Sequence, residues 1–388
     1  MKHVLLGFLF FFLLAAHPAL AIYDPLSVKN NKIGVHVLSP DELEQAAKLV
    51  NNDDKSEWGY ITVPIQATDR DREKWTRFMK NAAKYKVIPI VRVATFVDGP
   101  LWLKPGDSDL IDFANFLNDL PWPIENRYVI IFNEVNRADE FGGVVNPEKY
   151  ADILSNAIDI FKNRSDKFFI LPAGLDNAAP NRDGYMRWDI YLTQMYQHNP
   201  EIFNRLDGWT SHAYGNPDFA ADPLKSGQNK ADSYKYDFKL LNQFTKKKLP
   251  VFITEAGWSS QRLNAQSISN FYNYAFTHIW SNDQVVAVTP FLLFADNGPF
   301  TQFSLLNKDR VPTLAYQTIQ KFSLNGQPRI EDYSPKHVIA KATVSAVLSA
   351  ETTARPSLIR RLITFIKNLF QKNSFNLKVN QLMTSKLG

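Results

Sequence analysis

Two glutamates close apolar runs of this chain. Phe132-Asn133-Glu134-Val135-Asn136 ends one run, and Ile253-Thr254-Glu255-Ala256-Gly257-Trp258 ends another. A carboxylate at the end of an all-apolar strand is costly to desolvate unless it has partners or a task. Either glutamate alone reads well as a structural carboxylate paired to a lysine. Both together point to a pair of carboxyls available for proton transfer or nucleophilic attack. Other polar residues stand at comparable places, namely His36, Asp98, Asp176, His212 with Tyr214, and Asp296.

The elements that would position these residues follow one rhythm. Short β-rich apolar runs alternate with longer amphipathic stretches. Strands are expected over 32–38, 60–65, 86–95, 127–136, 167–176, 206–215, 249–258 and 284–296. Ser39-Pro40-Asp41-Glu42 supplies an N-cap, a proline at the first helical position and acids in the first turn. Asp107 and Asn146-Pro147-Glu148 repeat the device, and further helices are expected over 184–197, 230–247, 265–280 and 313–322. Strands that are apolar along their length suit a parallel sheet covered on its outer face. β-then-α units from 32 to 321 give an α/β chain of the size of a (β/α)8 TIM barrel, usually about 250 residues. An open doubly wound sheet would show a Gly-rich phosphate turn after an early strand, and none is present. In such a barrel the active site gathers where strands end.

These strand ends resemble clan A of the retaining glycoside hydrolases, the (β/α)8 group of cellulases, β-xylosidases and β-1,3-glucanases. The resemblance rests on Asn133-Glu134, on Thr254-Glu255-Ala256-Gly257-Trp258 and on His212-Ala213-Tyr214. It implies Glu134 as acid/base, Asn133 as ligand of the sugar 2-hydroxyl, Glu255 as nucleophile and Tyr214 as hydrogen-bond donor to that nucleophile. Three places differ from the clan pattern, the first being Val135, which follows the acid/base position where many cellulases have proline. The second strand, Tyr60-Ile61-Thr62-Val63-Pro64, lacks the usual arginine, and Arg92 on the third strand is either the candidate in its stead or a buried structural arginine. The platform tryptophan of the eighth strand is also missing, and Phe291 or Phe294 stands in its region. The implied function is a retaining hydrolase of β-linked poly- or oligosaccharide. The alternatives are a catalytically silent barrel that binds envelope or matrix glycan, and a transglycosylase using the same carboxylates.

The chemistry implied is double displacement, with one carboxylate ionised to attack and the other protonated to assist the leaving oxygen. Trp258, just after the nucleophile, and Trp102, in the third loop, are candidates for stacking on sugar rings. The seven histidines show no metal-binding spacing, so no metal and no cofactor are expected.

Composition narrows the partners. With 388 residues, 45% hydrophobic and 21% charged, the chain is globular rather than disordered. Aromatics at 13% suit a large core or a sugar-binding cleft. Zero cysteines exclude disulfides, thiolate metal sites and a cysteine nucleophile. Residues 1–21 read as a secretory signal, with Lys2, an apolar run over 4–16 and Ala19-Leu20-Ala21 at the end. A retained anchor is the other reading. A secreted or extracytoplasmic place, at the envelope or beyond, is expected.

The formal charge of +5 is unevenly spread. Residues 326–388 hold ten Lys/Arg against three Asp/Glu, which leaves the barrel span 22–325 mildly acidic. Nucleic acid is therefore not an expected partner of the barrel. In the basic tail, 356–372 reads as an amphipathic helix, with Leu358, Ile359, Leu362, Ile363 and Ile366 on one face. Such a helix can lie on an anionic membrane surface or dock on the barrel. A monomer is the expected state.

Overall fold

The computed structural model describes residues 22–51, 58–104 and 106–322. The signal-like segment and the basic tail with its expected helix lie outside the described residues. Eight parallel strands form the sheet: β1 (Lys32–His36), β2 (Gly59–Gln66), β3 (Val87–Ala94), β4 (Arg127–Ile131), β5 (Phe168–Pro172), β6 (Trp209–His212), β7 (Val251–Glu255) and β8 (Val285–Val288). Their order, β5-β4-β3-β2-β1-β8-β7-β6, is that of a barrel read around its circumference. The ladder is interrupted between β5 and β6. There the Asp207 N–H donates to Ile170 O at 3.2 Å and Thr210 Oγ1 to Pro172 O at 2.8 Å. The chain is a (β/α)8 TIM barrel.

A helix follows each strand: α1 (Leu43–Val50), α2 (Arg72–Lys84), α3 (Asp107–Asn118), α4 (Pro147–Arg164), α5 (Trp188–His198), α6 (Tyr234–Phe244), α7 (Ala265–Tyr274) and α8 (Leu314–Gln320). Their starts follow from the local sequence. The Ser39 and Glu42 side chains form a reciprocal capping box that opens a 3-10 turn into α1. Asn146 caps α4 by accepting the Lys149 N–H at 2.8 Å, with Pro147 at the first helical position. Helix α2, not singled out from the sequence, is capped by Asp71 through the Lys74 N–H.

Strand alternation divides the core into two layers. Tyr60, Ile88, Ile90, Tyr128, Ile130, Phe169, Leu171 and Phe252 fill the barrel interior. Their neighbours Ile61, Val91, Val129, Ile131, Val251 and Ile253 pack outward with the helices. Ile22, Leu26 and Trp58 pack against the interior cluster. The barrel is therefore a filled core, and the chemistry is confined to the mouth at the strand ends.

The strands stop earlier than their apolar runs. Residues 132–136, 173–176, 213–215 and 289–296 were expected to continue the sheet, but they lie in the loops after β4, β5, β6 and β8. After β4 the cause is visible in the backbone. Phe132 and Glu134 have φ of 71° and 31°, left-handed values that L side chains seldom adopt and that break a strand.

Candidate active site

Three strand ends carry the centre of the site. On β3 the inward positions Ile88 and Ile90 are followed by Arg92, so its guanidinium rises from the barrel interior into the mouth. On β7 alternation alone would send Glu255 outward with Val251 and Ile253. The ladder to β6 slips, however, pairing Ser211 with Ile253 but His212 with Glu255. One extra residue on β7 re-aims the Glu255 carboxylate into the mouth, as bulges beside active sites commonly do. Glu134 is held by its own N–H, which donates to Gly174 O at 2.9 Å.

Glu134 and Glu255 are both buried and face one another across His212. His212 Nδ1 lies 2.9 Å from Glu134 Oε1 and 3.7 Å from Glu255 Oε2. One oxygen from each carboxylate and a ring nitrogen of His212 all lie within 4.8 Å of one another. The Tyr214 hydroxyl donates to Glu255 Oε2 at 2.8 Å, and Arg92 Nη1 donates to Glu255 Oε1 at 3.1 Å. The same Arg92 nitrogen donates to Asn133 Oδ1 at 2.5 Å. Arg137 Nη1 donates to Glu134 Oε2 at 3.0 Å.

Burial works against ionisation of Glu255, but His212, then Arg92, and the Tyr214 hydrogen bond outweigh it and lower its pKa. Burial likewise opposes a proton on His212. The charges of Glu255 and Glu134 and the hydrogen bond to Glu134 prevail there, and its pKa is raised. Tyr214 is pushed well above its ordinary value by burial and then by the two glutamates, so it remains a phenol and a donor. His36, fully buried on β1, stands 3.9 Å from Glu255 Oε1. Burial, followed by the Arg92 charge, pushes it down to about 3, which leaves a neutral ring.

Glu134, His212 and Glu255 have the donor types and spacing to hold a cation. Their oxygens already receive Arg137, Arg92 and Tyr214, which supply the compensating charge and hydrogen bonds. This donor set fits proton handling between two carboxyls better than metal ligation.

Around the pair lies a cleft of about 580 Å³. Of the residues expected from the sequence, Arg92, Trp102, Asn133, Glu134, Tyr214 and Glu255 line it. His212 lies buried behind the two carboxylates, in contact with both. Trp102 belongs to a two-stranded hairpin, Val97–Asp98 with Leu101–Trp102. That hairpin is tied to the β4–α4 loop by the Trp102 N–H to Asp139 O at 2.8 Å and the Gly142 N–H to Trp102 O at 2.7 Å.

Two expectations need correction. Trp258 is not a wall of the cleft. Its ring is 2% exposed and packs edge-on to Tyr272 at 5.0 Å, while Nε1 donates to Ala221 O at 2.9 Å. Phe294 lies in a neighbouring groove, with the Arg310 guanidinium 4.1 Å over its ring. In the cleft itself the aromatic wall is Phe291, Phe300, Phe303 and Phe219, joined to Tyr214 by edge contacts.

Other cleft residues were not anticipated. Arg137 and Glu140 come from the β4–α4 loop. The charge density of Glu134-Val135-Asn136-Arg137-Ala138-Asp139-Glu140 was the available signal. Phe219 and Phe303 sit in long loops and carry no sequence signal of their own. Asp176, in contrast, was named from the sequence among the strand-end polar residues, and it lines the cleft with its carboxyl pushed up to about 6 by burial and by the charge of Glu134.

No protein-family model matches the sequence, and no curated protein matches it. Solved structures do match. A family 39 glycoside hydrolase from the gut symbiont Bacteroides cellulosilyticus WH2 is 15% identical with a TM-score of 0.54. The match covers 78% of this chain and 64% of that one, so this chain spans just under two thirds of that relative. A GH5_18 protein from Streptomyces cattleya, solved in complex with GlcNAc, is 16% identical with a TM-score of 0.54, over 76% of this chain and 79% of that one. A GH128 (subgroup II) endo-β-1,3-glucanase from Sorangium cellulosum is 14% identical with a TM-score of 0.51, over 76% of this chain and 99% of that one. The chain thus has a (β/α)8 fold similar to that of these glycoside hydrolases.

Proposed function

We propose that this protein is a secreted, retaining glycoside hydrolase that cleaves β-linked poly- or oligosaccharide by double displacement. The observation that carries the reading is the separation of Glu134 and Glu255, whose nearest ligand oxygens lie within 4.8 Å. Retention needs carboxyl groups about 5–5.5 Å apart, whereas inversion needs about 6.5–9.5 Å to admit a water between them.

In the first step Glu255 attacks the anomeric carbon. The glycosidic bond breaks, and its electron pair goes to the leaving oxygen, which takes a proton from Glu134. The product is a glycosyl ester on Glu255 and a free aglycone. In the second step Glu134, now the base, removes a proton from water. The hydroxide attacks the anomeric carbon and the ester bond breaks, returning Glu255 as carboxylate and Glu134 as acid. His212 shares a proton with Glu134 and lies close enough to Glu255 to feel its charge disappear on esterification. Arg92 and Tyr214 hold the attacking carboxylate in place and ionised. A sugar acceptor in place of water would make the second step a transglycosylation with the same groups.

Glu134→Ala separates the two roles. On aryl glycosides with good leaving groups the first step should survive, and external azide should accelerate the second. Equal loss on every aryl glycoside, with no azide effect, would refute the assignment.

A further inference from the structure

Asp237 is buried on α6, and the two chemical steps make no use of it. Three donors from two other parts of the fold converge on its carboxyl. Trp209 Nε1 donates to Oδ2 at 3.2 Å, and Ser211 Oγ donates to the same oxygen at 2.9 Å. Asn177 Nδ2, in the β5–α5 loop, donates to Oδ1 at 3.4 Å. Burial pushes the carboxyl up to about 7, while these three bonds and the His212 charge pull the other way. An apolar side chain of similar size would avoid the cost of desolvation, so what the carboxyl holds accounts for its presence.

What it holds is the end of β6. Gly208 faces the barrel interior, where a Cβ would meet Phe169, Leu171 and Phe252. Alternation then turns Trp209 and Ser211 outward to α6 and His212 inward to the mouth. Both outward residues of the strand thus end on one carboxyl, directly before the imidazole that touches Glu134 and Glu255. Ser233, the N-cap of the same helix, adds a bond from its Oγ to the His212 carbonyl at 3.3 Å. Neither neighbouring strand fixes this end of β6 on its own. The ladder to β5 is interrupted, and the ladder to β7 slips between Ser211 and His212. Asn177 spans the interruption, since it follows β5 and is the next residue after Asp176 of the cleft.

We propose that Asp237 is a positioning residue for the hydrolysis proposed above, the reading on which this role rests. From outside the barrel it fastens the end of β6 to α6 and to the β5–α5 loop, and so holds the His212 imidazole between Glu134 and Glu255. The tolerance is small. His212 Nδ1 lies 2.9 Å from Glu134 Oε1, so a shift of about 1 Å at the strand end breaks that contact.

The test compares Asp237→Leu, Asp237→Asn and Ser211→Ala in the full-length protein. Asp237→Leu removes every acceptor. Asp237→Asn keeps a carbonyl oxygen that can accept from both Trp209 and Ser211, with its NH2 turned to Asn177, whose amide can rotate to accept it. The first readout needs no substrate. In 15N spectra the Nδ1–H of His212, bonded to Glu134, should give a resonance that is absent from His212→Asn. Asp237→Asn should keep it, and Asp237→Leu should lose it or shift it toward that of a free imidazole. The second readout is turnover of an aryl glycoside with a poor leaving group, which needs the Glu134 proton. Asp237→Leu should lower kcat by about 10- to 100-fold with KM within about threefold, and Asp237→Asn should recover most of that loss. Ser211→Ala removes one bond and carries the test if Asp237→Leu does not fold. Its kcat should fall about three- to tenfold, with the resonance shifted the same way. The wild-type resonance and kcat in a folded Asp237→Leu, or in Ser211→Ala, would overturn the proposal. Equal losses in Asp237→Asn and Asp237→Leu would also overturn it, because charge rather than fastening would then be the cause. A protein whose resonance follows this pattern but which hydrolyses no glycoside would keep the fastening and discard the hydrolase reading.

Discussion

Gly174 presents bare backbone to the imidazole of His212. A Cβ at residue 174 would fall 2.3 Å from both Cδ2 and Nε2 of that ring. Its carbonyl also accepts the Glu134 N–H, so one glycine sets the places of both members of the proton-holding pair. The requirement is steric, because Gly174 does not adopt a left-handed φ.

Gly174→Ala should therefore displace the His212 ring from its place beside Glu134. We expect overpacking to cost about 1–3 kcal/mol of stability, and displacement of the pair to lower kcat by about 10²-fold. Thermal unfolding and steady-state kinetics on an aryl glycoside measure the two effects. Wild-type kinetics in Gly174→Ala would mean that the ring has room to move without consequence.

The pH profile follows from the shifts at Glu255 and His212. Glu255 is held below its ordinary value, so it stays ionised, and the acid limb of kcat/KM should lie below about 4.5. The charges of Glu255 and Glu134 hold His212 above its ordinary value despite burial, so activity that depends on the His212 proton should fall only above about 6.5. Tyr214→Phe removes one group that favours ionised Glu255. It should move the acid limb upward and cost about 10- to 100-fold in rate. His212→Asn should move the alkaline limb instead. A profile in which Tyr214→Phe shifts neither limb would contradict the part given to the phenol.

Trp258 gives a prediction of the opposite kind. Packed on Phe271, Tyr272 and Trp280 and bonded to Ala221, it belongs to the layer between barrel and helices. Trp258→Phe should lower stability by about 1–3 kcal/mol and leave KM within about twofold. A large rise in KM with unchanged thermal unfolding would return Trp258 to the sugar-binding surface.

The eight strands and the two glutamates were legible because burial writes them into sequence. Runs such as Val129–Ile131 are apolar on both faces, and a glutamate that closes such a run stands out. What lay beyond reach depends on the backbone between elements. Strict alternation would turn Glu255 away from the mouth, and only the register slip opposite His212 brings it in. Trp258 was misjudged because nearness in sequence to Glu255 does not survive that turn of the chain. Glu140 and Phe219 reach the cleft through loops whose path is set by long-range contacts, such as those of the hairpin at Trp102 with the β4–α4 loop. The place of Phe291 follows likewise from its N–H bond to Ala256 O.

The central claim is that Glu255 becomes covalently glycosylated. Intact mass after incubation with a panel of 2-deoxy-2-fluoro glycosides tests it directly, with Glu255→Gln as control and peptide mapping to locate the label. The account predicts a mass gain of one sugar in the wild type, none in Glu255→Gln, and a label on the peptide containing Glu255. A label on any other residue, or equal labelling of Glu255→Gln, would contradict it.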